Sequence, residues 1–298
     1  MSFGAGLQTI VVATDLHGQS EAALEYARKI ARAYGSRIVL AHGADPLEYA
    51  AVGEVPEPVL HELTGAAREI LEELARDLLR EGIHSHSEVR QGGVAEMLVD
   101  VARQYQAGLI VIGTEGREGA GPVVVGAVAE QLVRAAVCPV LAVAGDWNAG
   151  SHRPTPGGPV LLAINRNEAA AEAAATAYSL AETFARPLYM VHVRAPSAVT
   201  AFVNPCLPRL EEFGIRPSGR VMVHCLIKDG DAVDAVMEAI EQHRPSILVA
   251  GVKRTSKTGR PNGTAFALLA RSRVPVLCVP PRAGAEGRKR QAAVPVGI

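Results

Sequence analysis

Apolar residues along this chain fall into short runs separated by longer amphipathic stretches. IVVA (10–13), IVLA (38–41), LIVI (109–112) and VLAV (140–143) are near-continuous, the pattern of strands buried on both faces. The spacing predicts strands near 9–14, 37–42, 85–90, 108–113 and 139–143. Helical periodicity fills the gaps near 18–35, 57–81, 94–106 and 126–136. In the second of these, Leu63, Ala67, Ile70, Leu71, Leu74 and Leu78 form one 3.6-period stripe, expected to face the core. Alternating strands and helices imply a parallel sheet with crossover helices, whose ligands bind beyond the carboxyl ends of the strands at the topological switch point.

The pattern occurs twice. IVVATD (10–15) returns as VLLAIN (160–165), an offset of 150 that also pairs Ala27 with Ala177, Tyr34 with Phe184 and His42 with His192. GLIVIG (108–113) matches SILVAG (246–251), and CPVLAV (138–143) matches VPVLCV (274–279). The chain thus divides into a first domain over 1–145, a Gly- and Pro-rich linker over 146–158, a second domain over 159–281 and a tail over 282–298. The fold class is α/β: two tandem, doubly wound, five-stranded parallel-sheet domains. In the second copy, AVTAFVNPCLPRLEEF (198–213) contains two prolines and supports only a short helix. The last strand of each copy lies at a sheet edge, and open edges invite pairing. Strand 139–143 is therefore expected to pair with 275–279, making an intramolecular pseudo-dimer.

Composition narrows the function. The 298 residues are 48% apolar with a net charge of −1, which excludes a disordered chain and a general nucleic-acid binder. The balance hides an asymmetry: residues 1–150 hold 11 Lys and Arg against 20 Asp and Glu, whereas 151–298 hold 19 against 11. The basic half suits an anion. With no long apolar span and no leader-like N-terminus, the expected location is the cytoplasm, away from membranes. Cys138, Cys206, Cys225 and Cys278 form no C-x-x-C pair and are expected as free thiols.

The most informative stretch is GTEGREGAGPVVVGAVAEQL (113–132), which follows a strand and opens a helix. Glycines permit close backbone approach, and a helix N-terminus offers unpaired N–H groups and a positive dipole end, together an anion site suited to phosphate. No Lys-Ser/Thr follows the last glycine, so this is not a Walker A loop; GVKRTSKT (251–258) lacks the glycine that such a loop requires. His84 and His86 share a strand face without a third metal ligand. No nucleophile with a partner His is recognisable, so no catalytic residue is assigned.

TIVVATD, SEAALEYARKIARAYGSRIVLAH, QGGVAEMLVDVARQYQAGLIVIGTEG, GAVAEQLV and CPVLAV resemble the universal stress protein family in order and spacing, as two tandem domains. Gly113, Gly116 and Gly126 keep the G-x2-G-x9-G spacing of its ATP-binding members. The resemblance implies a Rossmann-like fold of the adenine nucleotide alpha hydrolase type. It implies that Ala13, Thr14 and Asp15 sit by the nucleoside, Gly43 packs against adenine, and Ile112, Gly113, Thr114 and Gly116 line the ribose-phosphate path. Gly126, Ala127, Val128 and Ala129 would hold the terminal phosphates of ATP, with Mg²⁺. Ala127 and Ala129 stand where the family carries hydroxyls, and Glu115 puts a negative charge in the loop. In the second copy Asn165 replaces the Asp and Arg254 the middle Gly; Gly251, Lys253, Arg254, Gly263 and Thr264 read either as a second anion site or as a solvated basic loop. Three readings stay open: an adenine-nucleotide-binding stress regulator acting through conformation or partner contacts, an interaction scaffold without nucleotide, and a slow ATPase. Homodimers, common in the family, are a further expectation.

Overall fold

A computed structural model describes residues 6–16, 20–44, 57–114, 126–144, 157–164, 168–194, 210–253 and 263–282. The first half contains β1 (Thr9–Ala13), α1 (Glu21–Tyr34), β2 (Arg37–Ala44), α2 (Glu57–Arg80), β3 (Ser85–Gln91), α3 (Val94–Gln104), β4 (Leu109–Thr114), α4 (Ala127–Ala135) and β5 (Val140–Ala144). The second contains β6 (Val160–Ile164), α5 (Ala170–Thr183), β7 (Leu188–Arg194), β8 (Val223–Asp229), α6 (Ala232–His243), β9 (Ile247–Gly251), α7 (Thr264–Arg271) and β10 (Val276–Val279). These elements stand within a few residues of the positions the hydrophobic runs predict. The linker 146–156, the loop 115–125 and most of the tail lie outside the described residues.

The strands form one ten-stranded sheet in the order β3-β2-β1-β4-β5-β10-β9-β6-β7-β8. Within each half all pairs are parallel. The halves meet through antiparallel β5 and β10, where Val276 faces Ala142, Leu277 faces Leu141 and Cys278 faces Val140. Leu141 and Leu277 are repeat counterparts, so an approximate two-fold axis passes between them. The pairing removes two open edges.

Alternation along each strand feeds two apolar layers. Ile10 and Val12 join α1, α2 and α5 on one face, while Val11 and Ala13 join α3, α4, α6 and α7 on the other. Each fully buried Leu, Ile or Val contributes roughly 1.5–3 kcal/mol relative to exposure. Cross-half contacts continue beyond the sheet. The half-buried Tyr26 of α1 donates its hydroxyl hydrogen to the Ser246 carbonyl at 2.9 Å, and the Arg134 guanidinium of α4 lies 5.8 Å from the Phe266 ring of α7.

Two expectations are corrected. The stripe on α2 divides: Ala67, Leu71 and Leu78 are buried, but Leu63 and Ile70 are 36% and 44% exposed. Cys138 and Cys278 are free and buried as expected, whereas Cys225 on edge strand β8 is held in a disulfide.

Candidate nucleotide site

In each half the chain runs outward from a central strand and then returns to its other side. The first half reverses between β1 and β4, the second between β6 and β9. Loops leaving such neighbours diverge to opposite faces and leave a crevice at the carboxyl edge.

At the end of β1, Thr14 anchors the turn. Its N–H donates to the Ala41 carbonyl at 3.0 Å. Its hydroxyl accepts from the Leu16 N–H at 3.1 Å and shares a 3.0 Å bond with the Ser20 hydroxyl. The Thr14 carbonyl accepts from His42 Nδ1 at 2.9 Å. A carbonyl only accepts, so His42 carries its hydrogen on Nδ1. Leu16 has φ +63°, a left-handed conformation costing an L-residue roughly 1–2 kcal/mol. The bond to Thr14 Oγ1 helps hold it there. Asp15, between them, is exposed at the crevice rim. His42 thus has a structural part, fixing the carbonyl beside Asp15.

Gly43 lies at the end of β2, where a Cβ would meet Val94 Cγ2 at 3.0 Å and Met97 Cε at 3.1 Å. Its missing side chain makes room for the first turn of α3. On β4, Ile112 is buried, and Thr114 is 4% exposed with its hydroxyl donating to the Val143 carbonyl at 3.4 Å. Thr114 therefore presents backbone rather than hydroxyl at the crevice. Gly113 pairs with Val143, and Gly116 lies outside the described residues.

Gly126 is the N-cap of α4, with φ −59°, ψ 146° and no capping side chain. The helix ladder begins with the Glu130 N–H donating to the Gly126 carbonyl at 3.1 Å. The N–H groups of Ala127, Val128 and Ala129 therefore have no intrahelical acceptor. Among the described residues, none comes within 4 Å of where a Gly126 Cβ would stand. Its φ and ψ are open to any L-residue, and no packing among the described residues asks for glycine there. Ala127 is exposed, but Ala129 is 2% exposed and packs inward. Of the two missing hydroxyls, only one at 127 would be exposed to a ligand. Glu130 is ion-paired with Arg134.

The second half repeats the frame. Gly263 caps α7 without a side-chain bond, and its carbonyl receives the Phe266 and Ala267 N–H groups at 3.0 and 3.1 Å. Gly251 is buried at the end of β9, Lys253 is exposed beyond it and Thr264 is half-buried in the first turn. Asn165 and Arg254 lie outside the described residues. Sequence reasoning passed over Ser20, whose hydroxyl is spent on Thr14 rather than on capping α1; a Ser just before a helix was the available signal.

A model of the universal stress protein family matches residues 6–144. A universal stress protein of Thermus aquaticus is 30% identical over 139 residues, 98% of that protein and 46% of this chain. The chain belongs to the universal stress protein family. A Mycolicibacterium smegmatis universal stress protein is 28% identical over 211 residues, 69% of this chain and 70% of its own length. The crystal structure of an Archaeoglobus fulgidus universal stress protein, 18% identical, superposes with a TM-score of 0.72 over 92% of this chain and 98% of its own. That likeness establishes the universal stress protein fold along both halves. No helix among the described residues is long and apolar enough to cross a membrane.

Proposed function

We propose that this universal stress protein binds ATP or a related adenine nucleotide in its first half. It acts through the conformation or contacts of the bound form rather than by turnover, in the cytoplasm. The open space at Gly126 carries the reading. It gives phosphate access to three N–H groups without an intrahelical acceptor, at a helix end whose dipole favours anions, beside the crevice between β1 and β4. Backbone of Gly113 and Thr114 lines the path from Asp15 to that cradle. Mg²⁺, arriving with the nucleotide, would offset phosphate charge.

The test is mass spectrometry of small molecules released from the denatured protein, with calorimetric titration of Mg-ATP. Bound adenine nucleotide, or a micromolar Kd lost in Gly126→Val, supports the reading. Neither nucleotide nor heat overturns it. The competing reading, an interaction scaffold without nucleotide, draws on exposed Ala127, which lacks the hydroxyl that would add a charge-assisted bond of about 1.5–3 kcal/mol. Thermal protection by Mg-ATP separates the two, because only a binding-competent native state is stabilised.

A further inference from the structure

Helix α2 packs on β2 and β3 through Ala67, Leu71 and Leu78. It carries a second apolar row that this packing leaves outside. Val59, Leu63 and Ile70 are 44%, 36% and 44% exposed, and Ala66 is exposed between them. Their spacings are four, three and four residues, the a/d repeat of a helix-pairing seam rather than scattered surface residues. The row spans about 16 Å at 1.5 Å per residue, enough to seat two to three turns of another helix.

The flank of the row has one sign. Glu62 and Glu69 precede Leu63 and Ile70, at the positions that set partner choice beside such a seam. Glu73 continues that side, Glu57 and Glu72 fall on the far face of the helix, and Arg68 is the sole Lys or Arg between 57 and 73. None of these five carboxylates makes an ion pair among the described residues. A second copy fits poorly. Antiparallel pairing would set Glu62 of one copy against Glu69 of the other, and parallel pairing would use the position of Ala67, which is buried.

We propose that the outer face of α2 docks a basic amphipathic helix of a partner protein. The partner's apolar seam lies on Val59, Leu63, Ala66 and Ile70, and its Lys or Arg residues face Glu62 and Glu69. The surface is built from the first half alone, so one partner helix binds per chain. The inference is independent of the nucleotide reading.

The probe is a synthetic three-heptad helix with Leu at its seam and Lys on both flanks, titrated by fluorescence anisotropy against the full chain. Its control carries Glu in place of Lys. The Lys peptide binds one to one and about tenfold more tightly than the Glu peptide, and Glu62→Lys with Glu69→Lys reverses the preference. Leu63→Asn with Ile70→Asn weakens the Lys peptide by at least about tenfold while the exposed positions leave the melting temperature in place. Binding that survives this double variant reduces the contact to charge attraction and overturns the seam. Equal affinity for both peptides, or none for either, overturns the basic partner. A dimer of the free chain in light scattering that the double variant abolishes assigns the face to a second copy and also overturns the proposal.

Discussion

Tyr34 and Phe184, repeat counterparts 150 residues apart, touch each other edge to face across the junction of the two halves. Their ring centroids are 6.3 Å apart at an interplanar angle of 75°, and the Tyr34 hydroxyl donates to the Ser179 carbonyl at 3.4 Å. Counterparts meet only near a two-fold axis, and the same axis brings Leu141 opposite Leu277 in the sheet. Such an edge-to-face pair is worth about 0.5–1.5 kcal/mol beyond its area. Phe184→Ala is expected to lower chemical-denaturation stability by about 1–3 kcal/mol, the half-buried ring giving less than a fully buried one. Leu277→Asp places an unpaired carboxylate at a residue 1% exposed, inside the seam. Calorimetry should then show the halves melting apart instead of together.

Gly126→Val separates binding from folding. The backbone at 126, φ −59° and ψ 146°, is open to any L-residue, and the Cβ meets no described residue within 4 Å. Stability should change by less than about 1 kcal/mol. Mg-ATP affinity should fall by at least about tenfold, since the isopropyl group covers the N–H cradle. An affinity equal to wild type in calorimetry would remove the cradle from the site.

The two missing hydroxyls are not equivalent. Ala127 is exposed in the first turn of α4, so Ala127→Ser should add a charge-assisted bond and tighten Mg-ATP by about tenfold or more. Ala129 is 2% exposed. Ala129→Ser should leave affinity unchanged and cost stability, because its hydroxyl enters an apolar layer. Titration of both variants side by side distinguishes them.

The free thiols predict an alkaline limit. Burial pushes Cys138 and Cys278 up to about 12, while an unfolded thiol ionises near about 8.5. The folded values are raised, so the contribution is complete below about pH 8.5 and is lost as pH rises toward 12. Stability therefore falls with rising pH above about 8.5, a slope visible in denaturant melts between about pH 9 and 10.5. Native protein at pH 8 should resist iodoacetamide at both cysteines, and denaturant should expose them together.

Helix α6 offers a simple cap test. Asp231 Oδ1 accepts from the Val233 and Asp234 N–H groups at 2.8 and 3.1 Å. Asp231→Ala should cost about 1 kcal/mol in thermal unfolding, with Asn restoring most of it.

Much of this architecture was legible in residue order. Strand and helix positions follow from runs and periodicity, and the β5–β10 pairing follows from the repeat together with the exposed edge of its last strand. Gly126 was legible as the start of a helix after a glycine-rich loop. The phase of α2 was not. Leu63 and Ile70 fit a 3.6-residue stripe as well as Leu71 and Leu78 do, and a helix with two apolar rows does not declare which one meets the sheet. Nor could the chain show that Thr114 donates into the sheet, that Ala129 points inward while Ala127 does not, or that Cys225 is disulfide-bonded.

The sequence by itself determined the local grammar of this protein: two copies, their strands and helices, and the glycine that leaves a helix end open. These depend on a few neighbouring residues at a time. Only the tertiary structure decided which of two equal stripes is buried, which hydroxyl is already spent and where counterpart residues meet. Burial and hydrogen-bond partnership are set by groups that arrive from distant parts of the chain. Tyr34 and Phe184 become neighbours only when ten strands have joined into one sheet.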